Sequence, residues 1–112
     1  MADLDSLMAI DGAIAAFRFT PGGELQDSRT ANGGELTDTV LDLVSHLCVA
    51  NMAIATMQAR GWESMTGMAG FYPLQGFTMV GFNWTVVVSD EFGVIMPNNK
   101  VDYDAAYAAL NA

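Results

Sequence analysis

The chain has 112 residues, 52% of them apolar and only 15% charged, with a mean hydropathy of +0.28. Its net charge of −9, with four basic residues in all, argues against nucleic acid as a partner, because neutralising phosphates takes Lys and Arg; an anionic membrane surface is disfavoured for the same reason. One cysteine excludes an intramolecular disulfide framework and a cysteine-based zinc site, and the length predicts one domain over residues 1–112.

The opening MADLDSLMAI carries Asp3 and Asp5 and no basic stretch, unlike a secretory signal, so the cytoplasm is the expected compartment. Asp3 to Ile10 reads as a short amphipathic helix with Leu4, Leu7 and Met8 on its face, ended by Asp11-Gly12. Ala13 to Phe19 reads as a strand. Thr20-Pro21-Gly22-Gly23 is a turn, since Pro fixes one dihedral and Gly permits a positive one. The polar run Glu24 to Thr30 suits a sheet edge.

Glu35 to Arg60 predicts one long helix, roughly 39 Å at ~1.5 Å per residue. Asn32, Thr37 and Asp38 are its cap and first-turn candidates, and Gly61 is its expected stop. Leu36, Val40, Leu43, Val44, Leu47 and Ile54 form a stripe at helical spacing, expected on the helix's own sheet. A second stripe runs through Leu41, Cys48, Met52, Ala55 and Ala59, with Asp38, Asp42 and Ser45 as a polar back. Two apolar stripes exceed what a simple surface helix needs. Deep burial in one domain is the bland explanation, and a face for a partner is the sharper one. Asn51, Gln58 and Arg60 interrupt the run, so it falls short of the ~20 continuous apolar residues of a membrane span.

Beyond Gly61, Trp62 to Tyr72 reads as an irregular connector rich in Gly and Met. Leu74 to Gly81, Trp84 to Ser89 and Phe92 to Met96 then form a meander with turns at Phe82-Asn83 and Asp90-Glu91. The continuously apolar WTVVVS is expected to be central and covered on both faces. Asp102 caps a last helix, Tyr103 to Leu110. The economical packing of this order is an α/β (α+β) domain. It has a five-stranded antiparallel sheet with the long helix on one face and the terminal helices on the other.

The segments LMAIDGAIAAFRFTPGGEL and LCVANMAIATMQARGWESMTGMAGFYPLQGFTMVGFNWTVVV carry a resemblance over nearly the whole chain. In that order of elements the chain resembles the roadblock / dynein-light-chain superfamily, a profilin-like fold, and is similar to a small, uncharacterised bacterial roadblock-like family within it. The resemblance implies a homodimer in which central helices pack side by side and middle strands join two sheets. It implies a scaffold or regulator acting on other proteins, often beside a Ras-like GTPase. Carried onto this sequence, the dimer surface would be Leu41, Cys48, Met52, Ala55 and Ala59 on the helix. Phe77 and Met79 would lie on the joining strand, with Thr78 and Val80 on its other face. No residue set here matches a GTPase-contacting surface.

No catalytic set accompanies the resemblance, and no enzyme, cofactor or metal is expected. His46, the one histidine, lies a turn after Asp42; such a pair can orient an imidazole, but on a polar helix back it is more often a solvated contact. Cys48 sits among apolar residues that make a thiol inert. Asn51 at the stripe edge either caps a segment inside the subunit or pairs across a dimer to fix register. Gly22-Gly23 and Gly33-Gly34 lack the Lys-Ser/Thr of a phosphate loop. The eight methionines read as adaptable packing ahead of soft-metal ligands. The connector's Trp62, Met65, Met68, Phe71 and Tyr72 form the expected surface for a partner or ligand, or else a lid folded over the core. A profilin-like small-molecule sensor, with its pocket under that connector, is the second functional class.

Overall fold

The structure, a computed structural model, describes residues 2–31 and 34–112; Asn32, a candidate helix cap, and Gly33 lie outside the described residues. Helix α1 (Leu4–Met8) starts at Asp3, whose carboxylate accepts the Ser6 N–H at 2.7 Å. That bond draws the Asp3 carboxyl below its ordinary value by favouring the charged form. Strands β1 (Ala15–Phe19) and β2 (Leu25–Thr30) form the expected hairpin, closed by Thr20 and Glu24. Helix α2 (Asp38–Thr66) follows, then the meander β3 (Gly76–Val80), β4 (Trp84–Ser89) and β5 (Phe92–Pro97), a short 3-10 turn and α3 (Tyr103–Leu110).

The strands assemble as one antiparallel sheet in the order β2-β1-β5-β4-β3. Because α2 carries the chain across the sheet to its far edge, the meander runs inward from β3 and ends beside β1. The centre is therefore β5. The WTVVVS strand, β4, is interior with Thr85 to Ser89 buried, as its apolar run predicts, but it stands one place nearer the edge. Between β4 and β5, Asp90 turns at a φ of 57°, a conformation that Asp tolerates better than bulkier residues. Gly93 on β5 lies directly beneath the Phe17 ring, where any side chain would collide.

Each sheet face carries its own core. On the α2 face, Ala15, Phe17, Phe19, Val86, Val88 and Ile95 pack with Leu36, Leu41 and Cys48. On the other face, Ala16, Val87, Val94 and Met96 pack with Leu4, Leu7, Ala106 and Leu110 of the terminal helices. The layered arrangement matches the expectation from sequence.

Three sequence-based expectations for α2 need correction. The helix does not stop at Gly61 but runs through it and through Trp62 to Thr66. A glycine inside a helix costs only about 1 kcal/mol, and the left-handed residue that ends α2 is Gly67, with φ 70° and its N–H on the Glu63 carbonyl. The start also shifts, to Thr37, whose hydroxyl accepts the Val40 N–H at 3.3 Å. Most important, both stripes divide between the sheet and the outside. Leu41, Cys48 and Ala59, expected to face a partner, are buried within the subunit. Val40, Leu43, Leu47 and Ile54, expected on the sheet, are exposed, whereas Leu36 and Val44 do pack on it.

The reason is steric. The sheet already contributes Phe17 and Phe19 to this face, which favours small side chains such as Ser45, Cys48 and Ala59 beside Leu41 on the buried side of the helix. Ser45, read as part of a polar back, is fully buried there and donates to the Leu41 carbonyl at 2.7 Å. Asp38 and Asp42 are not a free solvated back either. Asp42 accepts the Leu25 N–H at 2.9 Å and Asp38 accepts the Ser28 hydroxyl at 2.9 Å, fastening α2 over the β2 edge.

Candidate functional site: an exposed helix face beside an open strand edge

Because α2 is drawn toward β1 and β2, its opposite side overlooks β3 across a gap. Cavities line this gap from end to end. One of about 470 Å³ lies between Leu36, Val40 and Val44 and the β3–β4 tip, where Met79, Phe82 and Trp84 stand. A middle one of about 280 Å³ is bounded by Asn51, Ile54, Ala55, Phe77 and Met79. A third of about 390 Å³ lies between Ala55, Ala59, Trp62 and Phe71 on one side and Leu74 and Phe77 on the other.

Outside the gap, α2 presents Leu43 at 61% and Leu47 at 45% exposure, and Ile54, on the gap's rim, is 56% exposed. An apolar surface this continuous, left uncovered by the described residues of its own subunit, is the candidate interaction surface. By length and composition alone α2 could also cross a membrane, which the punctuated sequence pattern did not suggest. Beside it, among the described residues, β3 pairs with β4 on one side only and closes the sheet as an edge strand. The backbone groups of β3 on its free side are open to another strand.

The residues anticipated on β3 are placed as expected relative to the sheet. Phe77 packs against the α2-side core, with Met79 on the same face, while the Thr78 hydroxyl meets the Tyr107 hydroxyl at 3.1 Å on the other. On α2 the anticipated residues divide. Leu41, Cys48 and Ala59 belong to the subunit core; Ala55 borders the gap; Met52, half-buried, lines a separate cavity with Phe19 and Val49. Leu43, Leu47, Ile54 and Met57 were not assigned to an interface from sequence. Their signal was present, since they recur at helical spacing; what the sequence withholds is which residues of the two stripes the sheet accepts.

Asn51 is half-buried at the gap, and among the described residues its side chain makes no hydrogen bond within the subunit. The connector is not wholly irregular, because Trp62 to Thr66 complete α2. Its remainder folds back on the helix end: Trp62 meets Phe71 edge-on at 5.4 Å, and the Arg60 guanidinium reaches the Tyr72 hydroxyl at 3.0 Å. Trp62, Met65, Met68, Phe71 and Tyr72 all remain exposed.

The chemistry-bearing residues are engaged structurally. His46 Nδ1 lies 2.7 Å from the Asp42 backbone carbonyl, and the ring rests against the Gly23 turn. Burial pushes the Cys48 thiol up to about 12, holding it in the unreactive protonated form. Among the described residues, no three of His, Cys, Asp and Glu gather where they could hold a metal ion.

A five-stranded antiparallel sheet with one long helix on one face and two short helices on the other defines a roadblock/LC7-like fold. Solved structures share it. An MglB structure with tetrameric arrangement superposes with a TM-score of 0.71 over 95% of this chain and 75% of its own, at 16% identity. The Roadblock/LC7 domain from Streptomyces avermitilis gives 0.68 over 96% and 83%, at 11% identity. The gliding protein MglB from Thermus thermophilus gives 0.67 over 96% and 83%, at 17% identity. Such identities speak to the fold alone. No curated protein matches the sequence. The chain belongs to the family described as Uncharacterized conserved protein (DUF2173), whose model matches residues 3–112.

Proposed function

We propose that the chain is a non-enzymatic scaffold or regulator that acts in the cytoplasm as a homodimer, through protein–protein contacts. The observation that carries this reading is the exposed apolar face of α2 lying beside the open edge of β3. One two-fold operation would satisfy both features, setting β3 against its copy and the Leu43–Leu47–Ile54 face against its copy. Asn51, half-buried and without a hydrogen-bond partner among the described residues, would then lie near the axis, where an amide can fix register. The MglB fold neighbour with tetrameric arrangement supports self-assembly on this scaffold. Lipid is a poorer cover for the same face, because the free backbone groups of β3 would find no hydrogen-bond partners in it.

The partner class supplied by the roadblock resemblance is a small Ras-like GTPase or another protein, and the Trp62–Tyr72 segment offers it an aromatic and Met-rich surface. Light scattering at micromolar concentration tests the central claim: a dimer of the 11.9 kDa chain is expected, and a stable monomer rejects it. Replacing Leu47 with Asp should return a folded monomer, since the dimer would bury an uncompensated charge in each copy.

The cavity of about 390 Å³ under Trp62 and Phe71 favours a second reading, a small-molecule sensor. Trp62 emission, measured with Trp84 replaced by Phe, would shift on adding an apolar ligand if that reading holds.

A further inference from the structure

The two ends of β3 carry opposite shapes. At the β3–β4 tip, Phe82 stands 97% exposed. Gly81 N–H bonds to the Trp84 carbonyl at 2.8 Å and closes the turn, which holds the ring out beyond the strand end. At the other end, a cavity of about 390 Å³ opens between Ala55, Ala59, Trp62, Phe71, Leu74 and Phe77. An apolar void of about 150 Å³ already accepts a benzene ring. The knob cannot reach the hole within one subunit: from Leu74 to Phe82 the extended chain spans about 26 Å at ~3.3 Å per residue.

A second copy removes that distance. We infer that Phe82 of each copy seats in the Trp62–Phe71–Leu74 cavity of the other, as paired anchors of the dimer proposed above, on which this inference rests. Strand register supports the pairing. β3 runs from Gly76 to Val80, so its midpoint is Thr78. An antiparallel pairing of β3 with its own copy about that midpoint sets Phe77 opposite Met79, which share the α2 face, and Gly76 opposite Val80. Leu74, on the cavity wall, and Phe82 lie beyond the two ends of the strand, each four residues from Thr78, where the backbone has left the strand and its alternation of faces no longer applies. Knob and hole are thus equidistant from the centre of the strand. A two-fold interface demands this arrangement, in which residue i meets j and j meets i. The face agrees as well: Phe82 borders the α2-side gap with Met79 and Trp84, and the receiving cavity opens on the α2 side too. Buried aromatic anchors in preformed pockets carry most of the affinity in such interfaces.

Phe82→Ala tests the inference. The side chain is exposed in the subunit, so the melting of the isolated fold should not change. By sedimentation the dimer should dissociate at least about tenfold more readily. In a Trp84→Phe background, Trp62 emission from the fully associated protein should move to the red, because its cavity opens to water. A photoreactive p-benzoylphenylalanine at position 82, in a mixture of light and 15N-labelled chains, should cross-link to residues 55–77 of the other copy. If the parent chain dimerises but Phe82→Ala leaves both dissociation and Trp62 emission unchanged, the anchor is overturned and the dimer stands. Cross-linking to residues 35–44 of the same chain would likewise overturn it, by placing the ring over its own subunit's cavity. A parent chain that is monomeric overturns the dimer reading, and the anchor falls with it.

Discussion

The sheet has two edges, and they are built on opposite principles. At β2 the exposed residues are Gln26, Asp27, Arg29 and Thr30. α2 leans over this edge, with Asp42 and Asp38 on the backbone and hydroxyl of Leu25 and Ser28. Arg29 adds ion pairs to Asp27 at 3.0 Å and Asp5 at 3.5 Å. Charged side chains and a covering element are the usual means of keeping a strand from recruiting another. At β3 none of these devices is present among the described residues: Phe77, Met79 and Val80 form an apolar strand, and α2 stands away from it. The polar hydrogen-bonding power of α2 is spent on one edge, and its apolar surplus faces the other. One edge is closed inside the subunit; the other is open.

The contrast breaks most decisively if the two sides of α2 are interchangeable. Aspartate at Leu41, which is fully buried, should abolish folding, because an unpaired charge in a packed core costs several kcal/mol. Aspartate at Leu47 should leave a folded chain that no longer dimerises at micromolar concentration. Circular dichroism with light scattering separates the two outcomes. A folded Leu41→Asp chain would show that α2 sits on the sheet by another face. A dimeric Leu47→Asp chain would remove the exposed stripe from the interface.

The edges themselves come next. Met79→Lys places a charge on the open edge and should weaken the dimer about tenfold or more. Thr30→Lys makes the same change at the closed edge and should alter neither association nor stability beyond about 0.5 kcal/mol. Equal effects at both positions would erase the distinction. Smaller again is Asp42→Ala. It leaves the Leu25 N–H without its acceptor and should cost the subunit about 1–2 kcal/mol in urea unfolding, with dimer dissociation unchanged.

The sequence displays much of this and conceals one choice. Turn residues, caps and apolar runs announced every strand and both terminal helices, because Asp3, Asp102 and the Pro-Gly-Gly turn act through neighbours a few residues away. The polar composition of β2 likewise announced a sheet edge. The helix face did not resolve, because hydrophobicity is the wrong measure for it. Leu43, Leu47 and Ile54 are more apolar than Ser45, Cys48 and Ala59, yet these smaller residues are inside, together with Leu41. What decides is the bulk already supplied by Phe17 and Phe19, and those residues come from a strand more than twenty positions away. Gly61 misled for a related reason. A glycine ends a helix only where a positive φ is required, and the chain meets that requirement at Gly67.

The smallest expected effect is an absence of change, and it bears on which side of α2 meets the sheet. Cys48 lies under the helix with its thiol raised to about 12 by burial. If α2 keeps this face on its own sheet, a thiol reagent at neutral pH should fail to modify the native chain at any protein concentration, dilute monomer included. If the Cys48 face were instead the one shared between copies, dilution would expose it and modification would accelerate as the dimer dissociates. The pH dependence carries the same sign. The folded state favours the protonated thiol, so its contribution to stability is complete below the ordinary value of 9.0 and declines as pH rises toward about 12. Over that interval the unfolded chain alone releases the proton. Cys48→Ser, which removes the titrating thiol, should flatten this alkaline decline in urea-unfolding free energy, and it should do so equally in the dimer and in the Leu47→Asp monomer. A decline that differs between the two would place the thiol at the interface.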